Sequence, residues 1–271
     1  MVKTAEILEL IDTIAPFDIA EDWDNSGLQA GNLNWEVKKV MIGLDVTLPL
    51  MMSAKKWGAD LVLTHHPLII HPEKTFDFNK MPARAIEIAA KHRISIISAH
   101  TNLDKAKDGL NDYFASMIGV KNTRAFSVDK PLSIVKDEII GIGRIGYLNF
   151  PTSLEQLCCQ VKEKLNLSYL KVTGNMELPI TTIAICTGSG GSMIDEFLES
   201  SAEVYITGDI KYHEARRVEE GSKGLIDVGH FGSEWLAIDL LFDKLNLAVH
   251  ENSIDIQIKR YKEEKDPFTI F

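Results

Sequence analysis

Apolar residues along the chain switch repeatedly between two spacings, and the switches mark out the elements. Near the start, Ile7, Leu8, Ile11 and Ile14 recur at helical intervals, the stripe of a helix laid against a core. Thr4 stands where its hydroxyl can cap that helix, and Pro16 stops it. Residues 22–31, DWDNSGLQAG, are too rich in Asp, Asn and Gly for a regular element and read as an ordered loop. Short apolar runs then alternate with helical patterns: a strand over 40–45, a helix near 48–57, a strand over 60–64, a helix near 82–92 and a strand over 94–98. Strands and helices alternating in this way form βαβ units on a mostly parallel sheet.

The order returns in the second half. A strand over 182–187, the loop Gly188-Ser189-Gly190-Gly191, a helix to about residue 200 and a strand over 203–207 lead into Gly208-Asp209. A helix near 212–220 and a strand over 224–228 then run into Gly229-His230-Phe231-Gly232-Ser233-Glu234. Two copies of one plan at so long a period indicate an internal duplication rather than a solenoid. The expected fold class is therefore α/β: two intertwined, internally duplicated halves with mostly parallel sheets. Residues 126–180 look like an insertion between the repeats, with a glycine-interrupted strand over 139–148 and a helix capped by Ser153, with Gln156 three positions on. An apolar helix over 235–245 returns the chain to the first half, and residues 254–258 alternate like an edge strand. His250 is read as strand, and residues 262–267 as a solvated terminus. The first half comprises residues 1–125 plus 235–271, and the second, inserted half residues 126–234.

In open parallel sheets, ligands bind beyond the carboxyl ends of the strands. His65, His66, Asp104, His230 and Glu234 all follow predicted strands directly. Imidazoles with carboxylates and no thiolate suit zinc, iron, manganese, nickel or cobalt better than a structural cysteine site. Five donors exceed what one tetrahedral catalytic ion takes from protein. Two divalent ions about 3.5–4 Å apart, bridged by Asp104 or Glu234, would use them all. His230 and Glu234 are four apart, one turn on one face if a helix begins near residue 231. Other readings stand beside these: Asp104 as the cap of a helix over 105–117, Glu234 as a first-turn acid favoured by the helix dipole. His100, Asp209 and His213 are candidates for proton transfer or for orienting the ligands, or simply hydrogen-bonded loop residues. The loop at Gly188–Gly191 lacks the Gly-Lys-Ser/Thr ending of a phosphate loop.

Composition narrows the partners. The formal charge of −10 and the lack of a basic stripe argue against nucleic acid. No apolar run approaches the roughly 20 residues of a membrane span, and no signal peptide is evident. Three cysteines, two of them adjacent, make no disulfide framework, so a reducing cytoplasm is expected.

Five stretches taken together, DWDNSGLQAG (22–31), THHPL (64–68), AHTNLD (99–104), ITGDIKYHE (206–214) and GHFGSE (229–234), resemble the Nif-three-like proteins. Many of those carry the name GTP cyclohydrolase I type 2. The resemblance runs in order over about residues 1–260 and is to the short form. It implies a dinuclear metal centre, with His65 and His66 matching the paired histidines, Asp104 the bridging aspartate, and His230 with Glu234 the His-x-x-x-Glu. It also implies a toroidal homohexamer. Where the family often has Gly-Glu, this chain has Gly208-Asp209, one methylene shorter. The expected activity is metal-dependent hydrolysis, of cyclohydrolase type on a purine nucleotide. The alternative is a non-catalytic metal-binding protein that acts through protein partners in transcription or regulation.

Overall fold

The computed structural model describes residues 1–128, 134–135 and 138–270. Parts of the expected insertion, residues 129–133 and 136–137, lie outside the described residues. The chain divides into two compact units: Met1–Ala106 with Ala237–Lys265, and Lys107–Leu236 with the residues from Asp266 onward.

The first unit opens with α1 (Thr4–Ile14) and β1 (Gly27–Ala30), followed by β2 (Lys39–Gly43), α2 (Leu48–Trp57), β3 (Leu61–Thr64), α3 (Ala83–His92), β4 (Ser95–Ser98) and α4 (Thr101–Lys105). Its sheet has the order β1-β4-β3-β2 and gains a fifth strand late in the chain. The β2–β3 and β3–β4 pairings are parallel, and β1 runs antiparallel to β4. Every residue of β3 and β4 is buried, as in parallel strands covered on both faces. Met41, Val62 and Ile96 pack on Leu50, Met51 and Ala54 of α2 and on Ala85 and Ala89 of α3. Thr47 caps α2 by accepting from Leu50 N at 3.2 Å, and Gly58 ends it in the left-handed conformation.

The second unit begins with α5 (Leu110–Met117), β5 (Lys121–Val128), the short pair β6 (Ile134–Val135) and β7 (Glu138–Ile139), and β8 (Gly141–Ser153). Then follow α6 (Leu154–Lys164), β9 (Lys171–Thr173), β10 (Pro179–Ser189), α7 (Ile194–Glu199), β11 (Val204–Gly208), α8 (Tyr212–Glu220), β12 (Gly224–Asp227) and α9 (His230–Glu234). Its sheet has the order β5-β8-β10-β11-β12-β9. Only β10–β11 and β11–β12 are parallel, so this sheet is mixed rather than mostly parallel. The chain then enters α10 (Leu236–Glu251), and β13 (Gln257–Arg260) joins the first sheet parallel to β2.

The duplication goes further than the sequence pattern suggests. The stretches α1 to β4 and α6 to β12 both run helix, strand, strand, helix, strand, helix, strand, with sheet orders β1-β4-β3-β2 and β9-β12-β11-β10. In each, the first strand is antiparallel to the last. Residues 154–173, read from sequence as insertion, are therefore the opening of the second repeat.

Other local expectations are corrected. Thr4 is the first helical residue rather than the cap, and its buried hydroxyl bonds Ser95 Oγ at 2.9 Å. The predicted helix over 105–117 is two helices, with Asp104 inside α4 rather than capping; Asp108 takes a positive φ of 54° between them. His250 lies in α10 because the apolar stripe of Leu241, Leu245 and Val249 continues to it at helical spacing. Among the described residues, no helix is long and apolar enough to cross a membrane, and the three cysteines form no disulfide.

Ile96 is fully buried between the first sheet and its helices. Ile96→Ala is expected to lower stability by about 2–5 kcal/mol through lost burial and the cavity left behind, read as a lower urea midpoint.

Candidate metal centre

Three imidazoles meet at the carboxyl ends of β3 and β4. Hydroxyls at those ends hold the turn that carries the first two: Thr64 Oγ1 donates to the His66 carbonyl at 2.8 Å, and Ser98 Oγ does so at 3.1 Å. His66 N donates to the Leu44 carbonyl just beyond β2, at 3.0 Å. Two adjacent histidines are thereby fixed at a strand end, where they no longer alternate across the sheet.

Each ring is oriented through Nδ1. His65 Nδ1 lies 2.8 Å from the Ala99 carbonyl, His66 Nδ1 2.8 Å from Asp45 Oδ1, and His100 Nδ1 2.7 Å from Asp24 Oδ1. A carbonyl or carboxylate oxygen only accepts, so Nδ1 carries the proton in each ring, and in the neutral ring Nε2 carries the lone pair. The metal-competent atoms of His65, His66 and His100 all lie within 4.8 Å of one another. The ring centroids are 5.1, 5.2 and 5.5 Å apart. His65 Nε2 is 3.8 Å from Asp104 Oδ1, too long for a hydrogen bond and suited to two groups that share a cation. His65 is 0% exposed and Asp104 5%. This donor set, with its oxygen-anchored rings, fits a divalent metal ion.

Asp24 shows how strongly the arrangement is built in. Burial pushes its carboxyl pKa up, but hydrogen bonds from His100, Thr101 and Ser26, with the charge of His100, outweigh burial and hold it well below the usual carboxylate range. Its Oδ2 accepts from Thr101 Oγ1 at 2.5 Å, from Thr101 N at 3.1 Å and from Ser26 Oγ at 2.8 Å. The loop 22–31 is thus tied to the start of α4.

The chain's far end supports the same unit. Glu264 accepts from Leu44 N at 2.8 Å and Asp45 N at 3.1 Å, fixing the backbone of the residue that orients His66. Burial raises the Glu264 pKa, and these two amides oppose it. The expected solvated terminus over 262–267 is, at Glu264, a half-buried clamp.

In the second unit, α9 begins at His230, so His230 and Glu234 lie one turn apart on one face. His230 Nε2 is 2.7 Å from Glu234 Oε2, and its Nδ1 is 2.8 Å from Asp209 Oδ2. The shorter Asp209 does reach the ring. Glu234 is 3% exposed and is admitted by a glycine: a Cβ at Gly188, whose φ is +67°, would sit 2.1 Å from Glu234 Oε1. Gly188 N also donates to Ser233 Oγ at 2.9 Å. The glycine loop that lacks a phosphate loop's ending here makes room for a carboxylate.

Of the sequence candidates, the structure brings His65, His66, Asp104 and His100 together in the first unit, and His230, Glu234 and Asp209 together in the second. His213 is exposed on α8, its ring 5.3 Å from that of Tyr212. Sequence reasoning passed over Asp24, Asp45 and Glu264. Asp45 carried the same signal as the chosen residues, a carboxylate just past a strand, and Asp24 lies in a quoted motif.

Two sheets of related plan, each ending in clustered imidazole and carboxylate, define a mixed α/β protein with candidate metal-binding groups. The chain belongs to the Duf34/NIF3 (NGG1p interacting factor 3) family, matching it over residues 2–267. It is 30% identical over 266 residues to a Clostridium acetobutylicum protein named GTP cyclohydrolase 1 type 2 homolog, covering 98% of each chain. Among solved structures, a Staphylococcus aureus hypothetical protein superposes with a TM-score of 0.92 at 28% identity, over 100% of this chain and 99% of that one. A Bacillus cereus protein related to NIF3 superposes with a TM-score of 0.91 at 24% identity, over 99% of each.

Gly188→Ala would force Glu234 aside and strain a left-handed backbone. The expected result is metal affinity lowered at least tenfold with an unchanged circular dichroism spectrum, measured by competition with a chromophoric chelator.

Proposed function

We propose that the chain is a metal-dependent hydrolase holding two divalent ions through His65, His66, Asp104, His230 and Glu234. The observation that supports this most is the convergence of three Nδ1-anchored imidazoles, whose metal-competent nitrogens lie within 4.8 Å of one another. The ligand set as a whole, and the bridging part of Asp104, come from the family resemblance. When bound, the ions would polarise the substrate's electrophilic atom and lower the pKa of an attacking water toward neutrality. His65 and Asp104, both buried, keep bulk water from the donor atoms. His100, whose ring Asp24 holds through Nδ1, presents Nε2 toward the same locus as the other two imidazoles. His230 is oriented by Asp209 in the same manner.

The names carried by relatives point to a purine nucleotide whose ring is opened by addition of water. The toroidal homohexamer that the resemblance implies belongs to the same proposal, as does a reducing cytoplasmic setting. The family's description as an interacting factor favours a second reading, in which the metal stiffens a protein that acts by binding partners.

Protein purified without chelator should hold two metal ions per chain by elemental analysis; fewer than one would contradict the dinuclear centre. In a hydrolase panel that includes GTP, Asp104→Ala should lose metal and activity while remaining folded. If wild type carries metal yet turns over nothing, and Asp104→Ala unfolds, the partner-binding reading stands.

A further inference from the structure

Resting on the hydrolase reading, we infer that a cavity of the second unit, built on the segment that follows Asp209, is a subsite for a heteroaromatic phosphate, with the phosphate between Lys171 and Lys211 and the ring on Tyr212. The cavity measures about 240 Å³ and is lined by Lys171, Ile210, Lys211, Tyr212, Ala215 and Asp227 among others. That is just under the roughly 300 Å³ at which small-molecule sites begin. It therefore takes one end of a ligand and leaves the remainder outside.

Its place in the fold ties it to the chemistry. Ile210, Lys211 and Tyr212 directly follow Asp209, the residue that orients His230. Asp227 divides its carboxylate between the cavity and the same histidine's turn: Oδ2 pairs with Lys171 Nζ at 2.9 Å, and Oδ1 accepts from Gly229 N at 3.0 Å. The lining thus touches both supports of His230, the segment that follows Asp209 and the carboxylate that holds the Gly229 amide.

The lining selects the ligand's chemistry. Lys171 and Lys211 bring two ammonium groups to the lining, where Asp227 pairs with Lys171 and Asp209 acts on it from nearby. Lys171 stays charged, because its hydrogen bond to Asp227 raises its pKa. Tyr212 is 67% exposed, a large aromatic surface left beside the two ammonium groups. Arg216 lies 5.4 Å from its ring centroid and donates from Nε to its hydroxyl at 3.0 Å. Ile210 and Ala215 supply apolar wall. An anion attached to a flat ring satisfies all of these groups, whereas a free phosphate leaves the aromatic surface unused and an uncharged ring leaves the charges unused.

The test is equilibrium binding of guanosine monophosphate to the full chain stripped of metal, with ribose 5-phosphate and guanosine as comparisons. Lys211→Met should weaken guanosine monophosphate at least tenfold and flatten its salt dependence. Tyr212→Leu should weaken guanosine monophosphate several-fold and leave ribose 5-phosphate unchanged. Both side chains are exposed, so both variants should fold; circular dichroism checks this. Binding that ignores both substitutions, or no saturable binding, overturns the subsite. The two readings fail separately. Lys211-dependent binding without turnover of any panel substrate sinks the hydrolase and keeps the subsite. Turnover of a substrate whose KM is unmoved by Lys211→Met does the reverse.

Discussion

The hydrogen bond from a ring Nδ1 to an oxygen that is itself held in place is the interaction on which the rest of this site depends. A histidine side chain has two rotatable bonds and two equivalent-looking nitrogens, so an unanchored cluster would present no defined donor set. Here the Ala99 carbonyl, Asp45 and Asp24 each select one tautomer and one ring orientation. Each acceptor is itself held: Ala99 N donates to the Thr64 carbonyl, Asp45 N to Glu264, and Asp24 is surrounded by Thr101 and Ser26. Losing one outer anchor of this kind typically costs 10–100-fold in metal affinity.

The two repeats reach this end by different means. The parallel pairings place Thr64 beside Ser98 and Thr207 beside Asp227, so Thr64 and Thr207 are corresponding strand ends. After Thr64 come two imidazoles; after Thr207 come Gly208 and Asp209. A Cβ at Gly208 would lie 2.6 Å from the Gly188 carbonyl oxygen, so this position holds backbone where the first repeat holds a ligand candidate. The second unit instead takes its donors from α9 and turns Asp209 into the anchor of His230. An ancestral strand end has thus been used once for donors and once for support.

Most of the α/β frame was legible because buried parallel strands are short apolar runs bounded by helical patterns. The strands over 60–64 and 203–207 fall within a residue or two of β3 and β11. The strand-end rule also located the candidates, since it depends on topology and not on long-range contacts. What stayed hidden depends on partners distant in sequence. Thr4 looks like a cap until Ser95 is placed beside it. Residues 154–173 look like an insertion until β9 pairs with β12. Glu264 looks solvated until Leu44 and Asp45, some 220 residues earlier, offer it two amides. The mixed character of the second sheet has the same origin, because β8 carries no sign of its antiparallel pairing with both β5 and β10.

The central claim is that anchored Nδ1 atoms commit Nε2 to metal. Anomalous scattering from crystals of the protein loaded with zinc tests it most directly. Density is expected about 2.0–2.1 Å from Nε2 of His65 and His66, with Nδ1 of each still bonded to Ala99 and Asp45. Zinc bound through Nδ1, or held only at other residues while these rings keep their present bonds, would contradict it.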